Sequence, residues 1–297
     1  MKKNLKTALA VLFTICLLCS AFLPAFAAGT GGDPNVYQSE GVYLDGDENE
    51  NPFHTTVTFD PTTGRLTINE DKDNIISIDR ADDFISWIKT VASGVKTVYI
   101  TKYSHLSIHT NDEDVVPPPF HFAFAHLTNL ERFEVEKGNT ALVVKDGVLY
   151  ADGCLSLIHY PAAKPDKSYK IEETCMEGLE PYAFCNTKYL ERLEFPSARS
   201  SLPYFNIEEY SLSAVDLETG EPRESSIMQI VFHGSEEMFW YYNDFREGNN
   251  VAHQAEVIFD TPSTTSSFLD FFRVTIPTYF RMLIRMIREM FGDIIRR

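Results

Sequence analysis

The chain has 297 residues and is 44% hydrophobic, enough for one large or two small domains with a sizeable core. Its formal net charge of −17 comes from 26 Lys and Arg against 43 Asp and Glu; such an acidic body repels phosphate backbones and argues against nucleic acid as a partner. Five cysteines are too few for a disulfide scaffold of this length.

The first 27 residues read as a secretory signal peptide. Lys2, Lys3 and Lys6 form a basic start, residues 8–23 an almost unbroken apolar run, and Ala25-Phe26-Ala27 a small-x-small cleavage site. Pro24 closes the run early for a membrane-spanning anchor, and neither Cys16 nor Cys19 follows a small residue as lipoprotein processing requires. The expectation is export, cleavage after Ala27, and an extracellular or cell-surface location. This segment holds three lysines and no acid, so removing it leaves −20 on the mature chain. The last 30 residues carry six Arg against Asp270, Glu289 and Asp293, which puts −23 on residues 28–267.

Residues 28–53 are rich in Gly, Asp, Asn and Glu, lack periodicity, and are expected to be a disordered lead-in. Asp45-Gly46-Asp47-Glu48-Asn49 looks like the opening of a calcium loop. The match fails at Glu50, where a Gly should turn the chain, and at Thr56, where a bidentate Glu should close the site.

Residues 54–116 are expected to hold a hairpin, a helix and a first strand. Val57 and Phe59 alternate with threonines, Asp60-Pro61-Thr62-Thr63-Gly64 supplies turn chemistry, and Leu66 and Ile68 resume the alternation. Phe84, Trp87, Ile88 and Val91 recur at helical spacing until Gly94, after which Val98 and Ile100 begin a strand.

Residues 117–261 carry an internal echo. AFAHLTNLERFEV at 123–135 returns as AFCNTKYLERLEF at 183–195, six identities at a spacing of 60 residues. In both copies Leu130, Phe133 and Val135, then Leu190, Leu193 and Phe195, can turn inward where a short strand joins a stacked core, and such units need neighbours to bury that face. Between them Asp146-Gly147 marks a second hairpin, and residues 155–160 and 169–171 continue the alternation. The expected fold is α+β: a leucine-rich-repeat-type β solenoid with short strands and short irregular helices. It should be preceded by a β-hairpin and followed by a C-terminal amphipathic helix. Two echo strands lying in separate sheets would overturn the solenoid reading.

Four stretches in series resemble bacterial BspA-type leucine-rich repeat surface proteins. TVTFDPTTGRLTI at 56–68 with Trp87 and VKTVYI at 95–100 resembles the segment that precedes the repeats, and the two Ala-Phe units resemble the repeat itself. Asn139, Gly147-Val148-Leu149-Tyr150, Leu157-Ile158-His159-Tyr160-Pro161 and Tyr169-Lys170-Ile171 resemble its inserted island; residues 231–259, with Trp240 and Gly248-Asn249-Asn250, resemble its closing segment. Departures are local: Glu70-Asp71-Lys72-Asp73 replaces a Gly-x-Gly, Ile171-Glu172 replaces Ile-Pro, and residues 197–228 match nothing in the pattern. The resemblance implies an exported binding or adhesion module for proteins or extracellular matrix, without catalytic residues or cofactors. No binding residue carries over from the family. Exposed aromatics and charges between the core positions are the candidates for contact: Glu131, Arg132, Tyr189, Glu191 and Arg192.

After a linker at 262–267 the character changes. In residues 268–297 Arg281, Arg285 and Arg288 share one helical face, while Leu283, Ile287, Met290 and Ile294 share another, with Pro277 kinking or restarting the helix. Recurrent arginines disfavour a transmembrane span. Three roles stay open: a cap on the last coil, an interfacial helix on an anionic membrane with these seven residues in contact, or self-association.

Cys154, Cys175 and Cys185 remain after processing, either all structural or as one pair and one thiol, and their spacing fits no zinc pattern. His105 and His109 stand four apart in a β-like tract without a following carboxylate, and His121 and His126 fall in an aromatic cluster that suits structural histidines. Gly-x-Ser-x-Gly and glycine-rich phosphate loops are missing, so no enzyme is expected.

Overall fold

The computed structural model describes residues 33–44, 50–70, 81–102, 119–151, 153–175, 177–197, 205–244 and 247–260, with Ile276 and Phe280. Those from Tyr37 onward belong to one compact unit. The Asp45–Asn49 motif, His105, His109 and the candidate membrane-contact residues Arg281, Leu283, Arg285, Ile287, Arg288, Met290 and Ile294 lie outside the described residues.

The first sheet has the order β1 (Val36–Leu44), β2 (Glu50–Asp60), β3 (Arg65–Glu70), β4 (Thr97–Ile100) and β5 (Arg132–Val135). β2 and β3 form the expected hairpin, with Val57 opposite Ile68 and Phe59 opposite Leu66. Its turn is set by Asp60, whose carboxylate accepts from Thr62 N at 2.9 Å and Thr63 Oγ1 at 2.7 Å. Bonds from the Thr62 side chain first, then from Thr63, hold that carboxyl down at about 2. Gly64 ends the turn at φ 70°, and its carbonyl accepts Lys96 N at 2.8 Å, tying the hairpin to β4. α1 (Ala81–Val91) and a 3-10 turn, Ala92–Gly94, bridge β3 to β4, burying Phe84, Ile88 and Val91 on one face. β3, β4 and β5 are parallel, so Leu66, Val98 and Phe133 line up inward, and Thr67, Tyr99 and Glu134 outward.

Strand β1 corrects the expectation of a disordered lead-in. Tyr37 packs against Phe84 at 5.1 Å and Trp87 at 5.7 Å between ring centroids. A polar segment without periodicity gains its order from a neighbouring strand and from helix aromatics, which local sequence does not reveal.

The second and third sheets share the rest of the chain. The second has the order β12 (Asn206–Ile207), β10 (Gly178–Leu179), β8 (Ser156–His159), β7 (Val148–Ala151), β6 (Leu142–Lys145). The third has the order β14 (Glu256–Phe259), β13 (Gln229–Phe232), β11 (Arg192–Glu194), β9 (Ser168–Lys170). β6, β7 and β8 pair antiparallel around Asp146-Gly147, whereas β8, β10 and β12, and all four strands of the third sheet, run parallel. From β8 to β13 the chain alternates between these two ladders, adding one rung to each in turn. Among the described residues the architecture is strand-rich, with few short helices, and no sheet closes into a barrel.

The two echo strands do not share a sheet: β5 is in the first and β11 in the third, which corrects the expectation of one solenoid stacking both units. The inserted hairpin is the physical reason. Phe133 N donates to Gly147 O at 2.9 Å, so the β6–β7 turn occupies the place beside β5 that a further parallel rung would take. The chain resumes with β9, against which β11 pairs. Outside the strands the stacking continues: Ala163 N donates to Leu130 O at 2.7 Å, and Lys188 N to Ala162 O at 2.8 Å.

A third unit lies in the stretch that matched nothing. Phe184 N donates to Ser211 O at 2.8 Å and Asn186 N to Ser213 O at 3.0 Å, so residues 210–214 stack on the second Ala-Phe turn, and Ile230 sits beside Leu193. The loop from Asp216 to Arg223, closed by an Arg223–Asp216 ion pair and a Val215–Pro222 bridge, lengthens this unit and hides it from a spacing search. After α2 (Pro119–His126), which precedes β5, come α3 (Glu236–Asp244), capped by Ser235 Oγ accepting Met238 N at 3.2 Å, and α4 (Val251–Gln254) before β14.

The core along the rungs is rich in aromatic rings. Phe195, Phe232 and Phe239 meet edge to face at 5.1–6.4 Å, and Tyr150 and Tyr169 share a 2.5 Å hydroxyl bond. Cys154, Cys175 and Cys185 are all buried and unbridged. Burial pushes the Cys185 thiol up to about 12 and Cys175 higher, so neither is a thiolate near neutral pH.

Candidate contact surface

Period-2 alternation sends one side chain of each pair inward and its neighbour outward, so every parallel rung adds an outward row. In the third sheet the register places Ser168, Arg192, Gln229 and Glu256 in one row and Lys170, Glu194, Val231 and Ile258 in the next, where Val231 is buried. These rows are stitched together. Arg192 bonds Gln229, and Gln229 Nε2 donates to Glu256 Oε2 at 3.1 Å. Glu194 takes Lys170 at 3.2 Å, Arg192 at 3.3 Å and His233 at 3.4 Å. Partial burial pushes the Glu194 carboxyl up, but its cationic and hydrogen-bonding partners outweigh that and hold it below the ordinary carboxylate range. Lys170 is the reciprocal case: burial pulls it down, and Glu173 and Glu194 hold it above its usual value.

The five sequence-predicted contact residues fall into two groups. Glu131, beside Lys96 at 3.8 Å, and Arg132, beside Glu134 at 2.9 Å, sit at the entry to β5. Glu191, paired with Lys167 at 2.6 Å, and Arg192 sit at the equivalent entry to β11, with Tyr189 just before them and 51% exposed. Between the groups stands Lys164, a nearly buried ammonium held by Asp166 and by Asp146 at 3.2 Å. Lys188 Nζ reaches Asn129 Oδ1 at 2.8 Å and bridges the groups at their outer rim.

Several surface residues were missed by sequence reasoning. Met228 is 60% exposed and lies one rung beyond Glu191, whose carbonyl accepts its N–H at 2.9 Å. Its position before β13 matches that of Glu191 before β11, a correspondence masked by the Asp216–Arg223 loop. Arg65 over the Tyr99 ring, 4.0 Å from its centroid, adds a cation–π contact on the first sheet. The network around Glu194 could have been inferred only with the register in hand.

Two histidines face inward beside the first echo. His121 and His159 are buried, and Phe124 and Phe133 each lie 5.9 Å from the His159 ring. Burial lowers His121 to about 4; burial first, then His121, lowers His159 to about 3 against a smaller upward pull from the Tyr182 backbone. Both are neutral near pH 7. Among the described residues no group of three or more His, Cys, Asp and Glu side chains is arranged to hold a metal, and no helix is long and apolar enough to cross a membrane.

No protein-family model matches the chain, and comparison with curated proteins finds no match. Two solved structures are similar. The pneumococcal vaccine antigen PcpA is 20% identical with a TM-score of 0.31, the match covering 53% of this chain and 33% of the antigen's. A leucine-rich repeat protein from Eubacterium ventriosum is 14% identical with a TM-score of 0.26, covering 65% and 66% of the two chains. This chain therefore spans a third of the first neighbour's length and just under two thirds of the second's.

Proposed function

We propose that this chain is an exported, non-enzymatic binding or adhesion module whose two parallel ladders are built of BspA-like leucine-rich repeats. The observation that carries the reading is the outward row of β9, β11, β13 and β14, an extended mixed-charge face with Tyr189 and Met228 exposed near it. Such a face suits a broad protein contact: the aromatic and thioether supply apolar area, while exposed ion pairs cost little to exchange for a partner's charges. The matching partner is a protein or an extracellular-matrix component. Surface plasmon resonance on immobilised fibronectin, collagen and laminin, across a salt series, tests this. Saturable binding weakened at least tenfold by Tyr189→Ala with Arg192→Ala supports the reading; binding indifferent to both substitutions removes this face from it.

A second reading rests on Ile276 and Phe280. Both are helical, 45% and 62% exposed, and four residues apart, in phase with Leu283, Ile287, Met290 and Ile294 by sequence spacing. In this reading the basic C-terminal segment lies on an anionic membrane, with the repeats as its scaffold. Co-sedimentation with phosphatidylglycerol vesicles, with and without residues 263–297, separates the two: tail-dependent, salt-sensitive pelleting favours the membrane, and its absence leaves the protein-binding face alone.

A further inference from the structure

We infer that Cys154 and Cys175 form an intramolecular disulfide when the chain folds under oxidising conditions, leaving Cys185 as the remaining thiol of the repeat region. Cys154 lies in the turn that enters β8, and Cys175 in the segment that enters β10. These strands are adjacent and parallel, with Ser156 opposite Gly178, and Glu177 N donates to Leu155 O at 2.8 Å. Pairing thus begins within three residues of both cysteines, which enter adjacent rungs. The Leu155–Glu177 bond sets the two turns side by side, the neighbourhood in which a disulfide can close, and closing it would release the bond that Cys175 Sγ donates to Gly178 O at 3.2 Å.

The side chains point the same way. Cys154 and Cys175 are 3% and 0% exposed and belong to one core cluster with Tyr150, Leu157 and Leu179. Cys154 is also among the groups that raise the Cys175 thiol, after burial. Cys185 packs in a different cluster, with Ala125, Tyr182 and Val215. The topology therefore selects one pair out of three, which the odd count left open.

The bond needs an external oxidant, here a small disulfide such as oxidised glutathione. One cysteine thiolate attacks it, forming a mixed disulfide and expelling one glutathione thiol; the second cysteine attacks the mixed disulfide and expels the other. Two protein thiols are oxidised and one disulfide is reduced to two thiols. Both sulfurs are shielded in the folded chain, so the exchange belongs to folding, before the core closes. In the cell this rests on the export reading, which supplies the oxidising compartment.

Refolding the reduced full chain in a glutathione redox buffer, then alkylating under denaturing conditions and mapping peptides, tests the pairing. The expected result is a Cys154–Cys175 linked peptide about 2 Da lighter than its reduced parts, with Cys185 alkylated. The urea midpoint should fall on reduction in the wild type and in Cys185→Ser, and show no such response in Cys154→Ser. A chain that is folded by circular dichroism yet alkylated at both Cys154 and Cys175, or a link to Cys185, overturns the proposal. The buffer brings its own oxidant, so this outcome is independent of export. A link formed in the tube but missing from chain recovered from cells leaves the pairing standing and counts against the export reading alone.

Discussion

Asn249 clamps the turn that contains Leu212. Leu212 N donates to Asn249 Oδ1 at 2.9 Å while Asn249 Nδ2 donates to Glu208 O at 3.0 Å. Asn250 repeats the device on Ala214, at 2.9 and 2.8 Å, and Asn186 Oδ1 accepts Val215 N at 3.0 Å. Turns that stack without strands leave buried backbone groups, and an amide side chain carries both the donor and the acceptor that satisfy them. Asn249→Ala strands two of those groups in a site only 4% exposed, and should cost about 1–3 kcal/mol in a urea titration. A cost below about 0.5 kcal/mol would mean that water replaces the amide and that the clamp is not structural.

Gly178 is required by contact as well as by dihedral. Its φ is 123°, and a Cβ there would sit 1.9 Å from Asn206 O on the adjacent strand. Gly178→Ala must push β10 away from β12, and a loss of about 3 kcal/mol or more is expected. Gly220, at φ 72° with nothing within 4 Å of its added Cβ, is the control: Gly220→Ala carries only the dihedral cost, about 1 kcal/mol. Equal losses at both sites would contradict the close approach of the rungs.

Acid should loosen the core through its histidines. His121 and His159 have folded pKa values of about 4 and about 3, below the unfolded value near 6.5, so the unfolded chain binds protons first as pH falls. Their contribution is complete above pH 6.5 and is lost as pH drops toward 4, with a limiting slope of about 1.4 kcal/mol per pH unit for each ring. Thermal midpoints taken from pH 7.5 to 5 should fall accordingly. His159→Leu, which removes one titrating ring from between Phe124 and Phe133, should make the decline shallower; an unchanged slope would assign the acid sensitivity elsewhere.

The outward face should separate binding from stability. Tyr189→Ala touches a side chain half exposed to solvent, and Glu194→Gln alters an ion-pair hub on the same sheet. Tyr189→Ala is expected within about 0.5 kcal/mol of the parent in denaturant titration. Glu194→Gln should lose no more than about 1 kcal/mol, and less in high salt. A large destabilisation by Tyr189→Ala would show that this residue serves packing rather than contact.

Local chemistry made much of the chain readable. The Asp60–Gly64 and Asp146-Gly147 turns, α1 with its Gly94 stop, and strands β4, β8 and β9 stand where alternation and turn residues put them. The entry into the first sheet was less legible, because β1 owes its order to Tyr37 meeting Phe84 and Trp87. The third unit escaped notice for a different reason: its inserted loop breaks the spacing, although its backbone bonds follow those of the second. Among the contact candidates, Glu131, Arg132, Tyr189, Glu191 and Arg192 are all at least partly solvent-accessible, yet two groups rather than one patch emerge, and Met228, Lys170 and Glu194 join only through register.

What the sequence determined by itself was which residues share a face within each strand, since side-chain alternation depends on the covalent chain alone. The tertiary structure decided which strands became neighbours. Parallel rungs are joined by backbone bonds that carry no residue identity, so a hairpin placed beside β5 could divert the second echo into another sheet without altering a single inward-facing residue. The same lateral pairing brought Cys154 beside Cys175 and gathered Lys170, Arg192 and His233 around Glu194, arrangements set by rung order rather than by distance along the chain.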